Sequence, residues 1–146
     1  MTLAPAATSM LGSVVALTLL HLVMMLALYA TRLPAMVMMK MSARATGKPG
    51  ALDTLPKWAR NPAANYNNLA EAPTAFYAIV IAVVVLGQAD LLFAVAAWAY
   101  VALRYAHSAV QATVNIVMVR FSIFSLSWLV LGIMIVRSAA LLIVNA

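Results

Sequence analysis

Four long apolar runs constrain the fold of this chain more than any other feature. They cover about residues 11–33, 68–86, 91–110 and 121–144. A helix needs about 20 mostly apolar residues to cross ~30 Å of hydrocarbon, and each run is close to that length. Hydrophobic residues fill 66% of the 146 positions and charged residues only 8%, whereas soluble domains carry about 25% charged residues. We therefore predict an all-α integral membrane protein, a single four-helix bundle in the lipid bilayer.

The connections between the runs indicate how the helices are arranged. A tight turn at residues 87–90 forces the second and third spans into an antiparallel hairpin. Residues 111–120 are too apolar for a solvated loop, so we expect the third helix to continue past the membrane surface. The one long polar stretch is 34–63, which begins at Pro34 and is interrupted by further prolines.

Most of the basic residues lie in or beside this stretch. They are Arg32, Lys40, Arg44, Lys48, Lys57 and Arg60, opposed only by Asp53. Basic residues next to a span stay on the cytoplasmic side and contact anionic lipid. We therefore predict that 34–63 is a cytoplasmic loop and that both termini lie on the opposite side. The net charge of +6 does not indicate a nucleic-acid partner, because the basic segment has no nucleic-acid-binding motif.

The residue types exclude several kinds of chemistry. The chain has no cysteine, which excludes disulfides, a thiolate nucleophile in the protein and Cys-ligated metals. His21 and His107 lie on different spans without a carboxylate at ligand spacing, so we predict no metal site. We place His21 near mid-depth in the first span and interpret it as a neutral residue bonded to a neighbouring helix, with a functional role as the alternative.

In the predicted orientation, polar residues of all four spans meet at the cytoplasmic end. The set comprises Arg32 from the first span, Asn65, Asn68 and Glu71 from the second, Arg104, His107 and Gln111 from the third, and Arg120 from the fourth. Spacings of three and four residues put the members on each span on one helix face, and such side chains avoid lipid.

This cluster has two interpretations. Arg104 is the available counter-ion for Glu71, and that pair can either fix the helix register or take part in a site. A ligand site is favoured for His107, Gln111 and Arg120, because a cytoplasmic molecule could reach them and Arg120 has no carboxylate left to pair with.

Two motifs carry a resemblance to a known family. The runs Asn68-Leu69-Ala70-Glu71-Ala72-Pro73 and Arg104-Tyr105-Ala106-His107, with Arg120 downstream, resemble the MAPEG family, the membrane-associated proteins of eicosanoid and glutathione metabolism. The resemblance covers about residues 58–142 and is greatest to a bacterial branch. It implies a homotrimer of four-helix bundles in the bacterial inner membrane, with periplasmic termini. It also implies that glutathione binds as a co-substrate between subunits, near the cytosolic face.

The resemblance further implies a role for each polar residue. The glutathione-binding set is Arg32, Asn68, Glu71, Arg104, His107 and Gln111. Arg120 matches the catalytic arginine that stabilises the glutathione thiolate. A thiol has a pKa of about 8.5, and a guanidinium beside the sulfur lowers it by favouring the anion.

Two functions follow from these observations. The first is a glutathione transferase or peroxidase acting on a lipophilic electrophile that arrives through the bilayer. The second is a non-catalytic accessory or structural subunit of a larger membrane complex, whose polar cluster holds helices or a lipid headgroup. Catalytic relatives carry a tyrosine where this chain has Gln111, and Pro73 is one residue closer to Glu71 than in the transferases.

Overall fold

Helices make up almost all of the regular structure. The computed structural model describes residues 3–144, and this part of the chain contains no β-strand. Its elements are α1 (Pro5–Met38), α2 (Ala43–Thr46), a 3-10 turn (Ala51–Thr54), α3 (Lys57–Glu71), α4 (Thr74–Val85), α5 (Leu91–Ala112) and α6 (Val117–Val144). The predicted all-α class is confirmed.

Three segments of the described chain are long and apolar enough to cross a membrane. They are Pro5–Met38, Lys57–Val85 and Val117–Val144, and they indicate an integral membrane protein. The remaining long helix, α5, has 22 residues, which is enough to cross a bilayer. Its inward face carries Arg104, His107 and Gln111, which lower its hydropathy, and its crossing remains a prediction.

The helices at the basic end extend beyond the predicted spans. α1 continues through Pro34 to Met38, and α3 begins at Lys57, so the predicted loop 34–63 is largely helical. Pro62 does not end the helix as expected; it lies in the second turn of α3 and is buried there. Hydropathy marks where a helix can meet lipid, and it does not mark where a helix leaves the membrane and continues.

The second span is bent. α3 ends at Glu71 and α4 begins at Thr74, because Pro73 has no backbone N–H to continue the helical hydrogen bonds. The Thr74 hydroxyl donates to the Glu71 carbonyl at 2.9 Å and satisfies one of the acceptors released at the bend. The bend sets the direction of α3, which carries much of the polar cluster.

The apolar core lies between α1, α4, α5 and α6. Its large buried members include Met10, Leu17, Phe76, Val80, Phe93, Tyr100, Leu131 and Met134. Phe76 and Tyr100 stack with ring centroids 4.4 Å apart. Many other large apolar side chains point outward, such as Val85 and Ile143, as expected for helices whose outer surface faces lipid.

The turn between α4 and α5 is fastened to α6. The Asp90 carboxylate caps α5 by accepting from the Phe93 N–H at 2.9 Å. Arg137 donates two hydrogen bonds to the same carboxylate and lies 4.2 Å from the Phe93 ring centroid. This is the one ion pair among residues 3–144, and its two-pronged geometry sets the position of α6 along α5.

Contacts between α1 and α5 show which residues share a level. Trp98 Nε1 donates to Ser9 Oγ at 3.1 Å, and the Tyr105 hydroxyl donates to the Ala16 carbonyl at 2.8 Å. In both pairs the α5 residue follows its α1 partner by 89 positions, so the two helices run in the same direction. With the same offset, the last residue of α5 lies within about one turn of Val23 along α1. α1 therefore continues for about four turns beyond the end of α5.

Candidate functional site

A stripe of asparagines on α3 faces α5 and the link that follows it. Asn61, Asn65 and Asn68 are spaced by four and three residues and so share a helix face. Asn65 Nδ2 donates to Gln111 Oε1 at 2.9 Å, and Asn68 Oδ1 accepts from Arg104 Nη2. Asn61 Nδ2 donates to the Thr113 carbonyl at 3.2 Å. The stripe therefore joins α3 to the end of α5 through neutral amide groups.

Arg104 is completely buried, with 0% of its surface exposed, and has no carboxylate partner. Its guanidinium carbon lies 5.6 Å from the Phe124 ring centroid, while its Nε and Nη1 have no hydrogen-bond partner among the described residues. A buried cation without an anion is unfavourable by several kcal/mol. The environment of Arg104 therefore favours a bound anion.

The expected ion pair between Glu71 and Arg104 does not form within the chain. Glu71 is the last residue of α3, immediately before the bend, and is exposed. Arg104 instead reaches Asn68, one turn earlier on α3. The carboxylate is exposed while the guanidinium is buried beside Asn68 and Phe124, so the pair expected from sequence spacing is absent.

A cavity of about 250 Å³ opens between α3, α5 and α6. Its lining residues are Asn68, His107, Gln111, Val117, Arg120, Phe121 and Phe124. Four of these were predicted site residues, and they come from three helices. His107 is buried with an unpartnered Nδ1 and lies behind Phe124, 5.8 Å between ring centroids. The cavity thus combines polar groups from α3 and α5 with an arginine and two aromatic rings from α6.

Arg120 reaches this cavity from the first turns of α6. Its Nη1 donates to Asn115 Oδ1 at 2.7 Å, and Asn115 Nδ2 donates to Asn61 Oδ1 at 3.1 Å. Asn115 lies in the link between α5 and α6 and has a φ of 50°, a left-handed conformation that asparagine tolerates better than most residues. Arg120 is therefore tied, through two amide side chains, to α3.

Arg32 lies in a second polar cavity, apart from the first. This cavity has a volume of about 370 Å³ and is lined by Arg32, Leu52, Asp53, Arg60, Asn61, Ala63, Ala64, Asn67 and Asn115. The Arg32 Nε is buried without a partner, and Arg60 Nη1 donates to the Asp53 carbonyl at 2.9 Å. Asn115 lines this second cavity, and its side-chain oxygen accepts a hydrogen bond from Arg120, which lines the first cavity. The two cavities therefore lie on either side of the Asn115 amide.

His21 lies near the middle of α1 and level with the end of α5. The offset between α1 and α5 puts it level with Val110, and its ring centroid is 4.8 Å from that of Tyr66, the neighbour of Asn65. Its Nε2 has no partner among the described residues. Its depth in the membrane stays a prediction.

Sequence reasoning missed two residues of the amide network, Asn61 and Asn115. Asn61 was assigned to the loop 34–63, although its spacing from Asn65 and Asn68 places it on the same helix face. Asn115 was included in the apolar link 111–120, without a role of its own. An asparagine between two helices is itself a signal of a left-handed residue, and that signal could have identified it.

Within the described residues, the site can favour anions. Arg120 lines the cavity and the buried Arg104 donates to Asn68 in its wall, while the other polar lining groups are neutral amides and an imidazole. Preorganised positive charge in a space with apolar walls is worth more than in water. Such a site suits carboxylates or a thiolate, and its aromatic side suits an apolar reaction partner.

One comparison with known proteins gives a match. The family model described as the MAPEG family matches residues 10–140, a range that contains every predicted site residue. No curated protein and no solved structure matches the chain.

Proposed function

The chain belongs to the MAPEG family, and on that premise we propose that it binds glutathione and uses Arg120 to hold the glutathione sulfur as a thiolate. The proposed reaction is that of a glutathione transferase or peroxidase acting on a lipophilic electrophile. The sulfur comes from glutathione, which fits a chain that has no cysteine.

The observation that carries this proposal is the buried Arg104 without a counter-ion, which donates to Asn68 at the wall of a polar cavity lined by Arg120. Glutathione would supply two carboxylates and a thiolate to this positively charged environment. Each charge-assisted hydrogen bond to an arginine contributes about 1.5–3 kcal/mol. Asn68, His107 and Gln111 are the remaining polar groups available to its peptide bonds.

The proposed chemical step is a nucleophilic substitution or addition. Arg120 favours loss of the thiol proton to water, and the thiolate then attacks an electrophilic carbon. In a substitution, a carbon–sulfur bond forms while the electron pair of the broken bond leaves with the departing atom, which water protonates. In an addition, the carbon–sulfur bond forms while the electron pair of the π bond moves to the substrate's neighbouring atom, which water protonates. Phe121 and Phe124 line the cavity beside Arg120, where they would contact the apolar substrate.

The proposal includes an assembly and an orientation. We propose a homotrimer in the bacterial inner membrane, with four spans that include α5 and with residues 34–63 in the cytoplasm. Within one chain, Arg32 lies in the second cavity and Glu71 is exposed. Both would reach glutathione from a neighbouring subunit, as the family resemblance implies.

Calorimetry on the detergent-solubilised protein tests the proposal. Glutathione should bind at millimolar concentration or below, and Arg104→Met should weaken that binding at least tenfold, since it removes a charge-assisted contact of ~1.5–3 kcal/mol. The same variant should raise thermal stability without ligand, because it removes an unpaired buried charge.

Arg120→Ala should retain the oligomeric mass and lose conjugation of a model electrophile, at least a hundredfold in kcat/KM. Arg44→Ala is the matched control, because Arg44 is exposed in α2 and the change removes the same charge outside the site. Absence of any glutathione binding by the wild-type protein would refute the proposal.

One observation favours the second candidate function, a non-catalytic accessory subunit. Gln111 occupies the place where catalytic relatives carry a tyrosine, and its amide oxygen is engaged by Asn65. In that case the protein should co-purify in fixed stoichiometry with a partner complex from its native membrane, and Arg120→Ala should impair that association. A lone homotrimer that binds glutathione would argue against it.

A further inference from the structure

We propose that Asn115 is a positioning residue that holds the Arg120 guanidinium at the cavity between α3, α5 and α6. The catalytic consequence rests on the proposed function, whereas the positioning itself can be measured without a ligand. The contact is a hydrogen bond of 2.7 Å from Arg120 Nη1 to Asn115 Oδ1, and it belongs to neither of the motifs that carry the family resemblance.

The orientations of the Asn61 and Asn115 side-chain amides follow from one backbone carbonyl. The Thr113 carbonyl can only accept a hydrogen bond, so the Asn61 amide must present its NH₂ to it. The Asn61 oxygen therefore faces Asn115 and accepts from its NH₂. The Asn115 oxygen is left facing Arg120, and no flipped arrangement satisfies all three contacts.

The backbone contacts of Asn115 also hold it in place. Residues 113–116 join α5 to α6, and the Asn115 N–H donates to the Val110 carbonyl at 2.7 Å. The φ of 50° limits the position to residues that accept the left-handed region, which are chiefly glycine, asparagine and aspartate. Only asparagine among these is neutral and carries a carbonyl oxygen toward Arg120.

Arg120 has no other partner that would fix its orientation among the described residues. Its side chain is long and flexible, and its position determines how strongly its charge acts on a sulfur in the cavity. Loss of the Asn115 contact would leave the guanidinium averaged over several rotamers. A bound thiol would then ionise less readily, because the field that favours the anion is weaker.

The test uses two substitutions that keep the backbone conformation. Asn115→Gly retains the positive φ and removes the side chain, while Asn115→Asp retains the shape and adds a negative charge next to Arg120. Lys40→Gly is the matched control, since Lys40 also has a positive φ, 49°, but is exposed at the end of α1.

The first readout is the pH profile of thiolate absorbance for glutathione bound to the intact protein in detergent. Asn115→Gly should lower the thiolate fraction near neutral pH about tenfold, as expected for one charge-assisted hydrogen bond, and Asn115→Asp should lower it further. Lys40→Gly should leave the profile unchanged. His107 lines the cavity and Arg104 bonds Asn68, which also lines it; these charged or titratable groups of α5 are identical in all four proteins.

The second readout needs no glutathione. Arginine-labelled protein examined by NMR should show separate Nη signals for a restrained Arg120 in the wild type, assigned with Arg120→Lys. These signals should merge in Asn115→Gly because the guanidinium rotates freely.

An unchanged thiolate profile or an unchanged Arg120 signal in Asn115→Gly would overturn this inference and leave Asn115 a turn residue only. If the wild type binds no glutathione, the proposed function fails, and the NMR comparison still decides whether Asn115 positions Arg120.

Discussion

At the scale of single residues, Arg137 and Arg104 differ in their partners. The difference distinguishes a structural charge from a candidate functional one. Arg137 has a carboxylate partner in Asp90, an aromatic ring beside it and access to solvent. Arg104 has a ring beside it but neither a carboxylate nor solvent. The first arrangement is complete within the chain, whereas the second leaves two donor atoms, Nε and Nη1, buried without a partner among the described residues.

The Asp90–Arg137 pair gives a prediction about pH. Hydrogen bonds from Arg137 hold the pKa of Asp90 below its ordinary value of 3.8. A carboxyl with a depressed folded-state pKa adds stability above its unfolded value and loses that contribution as pH falls through the folded value. Asp90→Asn should therefore lower the unfolding temperature by a few degrees near neutral pH, and the difference should vanish in acid.

Thermal unfolding in detergent over a pH series measures this effect. Asp53→Asn is the control, because Asp53 is exposed and its carboxylate makes no ion pair among residues 3–144. A constant difference between wild type and Asp90→Asn at all pH values would contradict the assignment.

At the scale of elements, α3 is the helix whose structure departs most from what hydropathy predicts. It is polar along one face, it contains Pro62, and it ends at a bend. Its contacts with α5 are hydrogen bonds between amides rather than apolar packing alone. The position of α3 along α5 therefore depends on a few directional contacts, of which Asn65 to Gln111 is the most buried.

A double-mutant cycle on that contact tests its contribution. Gln111→Leu should destabilise the protein by about 1–3 kcal/mol, because it leaves the buried Asn65 amide without its acceptor. Asn65→Leu should cost less, since the Asn65 Oδ1 already lacks a partner. The double variant should cost less than the sum of the two, as measured by reversible unfolding in detergent, and strict additivity would show that the hydrogen bond has no net effect.

The number and order of the long helices could be predicted from sequence, because an apolar run of membrane length is a local property. The convergence of Asn68, His107, Gln111 and Arg120 also followed from spacing and orientation. The partner of Arg104 could not be predicted, since it depends on where α3 bends. Asn61 and Asn115 were missed because their importance comes from a contact between segments more than 50 positions apart.

At the scale of the whole molecule, polar chemistry is concentrated at one end of the bundle. Both polar cavities, the asparagine stripe and most of the basic residues lie there, while the other end has the Asp90 turn and its link to α6. In the proposed orientation, which follows the positive-inside rule, this end faces the cytoplasm. The proposed thiol substrate would then enter from the cytoplasm and the proposed apolar substrate from the lipid.

This orientation can be tested directly because the chain has no cysteine. Single cysteines at the exposed positions Gly47 and Leu3 can be labelled with a membrane-impermeant reagent. Gly47→Cys should react only in inverted vesicles and Leu3→Cys only in right-side-out vesicles. The reverse pattern, or labelling of both from one side, would contradict the predicted topology.

The extension of α1 beyond the end of α5 has a consequence for how the molecule opens. The first turns of this extension pack on α3 and the bundle core, where Met24 is buried, but its last turns pack through a small cluster formed by Ala35, Leu55 and Ala59. Segments with few buried contacts unfold locally at a low free-energy cost while the remainder stays folded. Amide hydrogens in the last turns of α1 should exchange with solvent well before those of α5. Because Arg32 lies close to these turns and lines the larger polar cavity, local fraying there would admit water and solutes to that cavity without any change in the bundle itself.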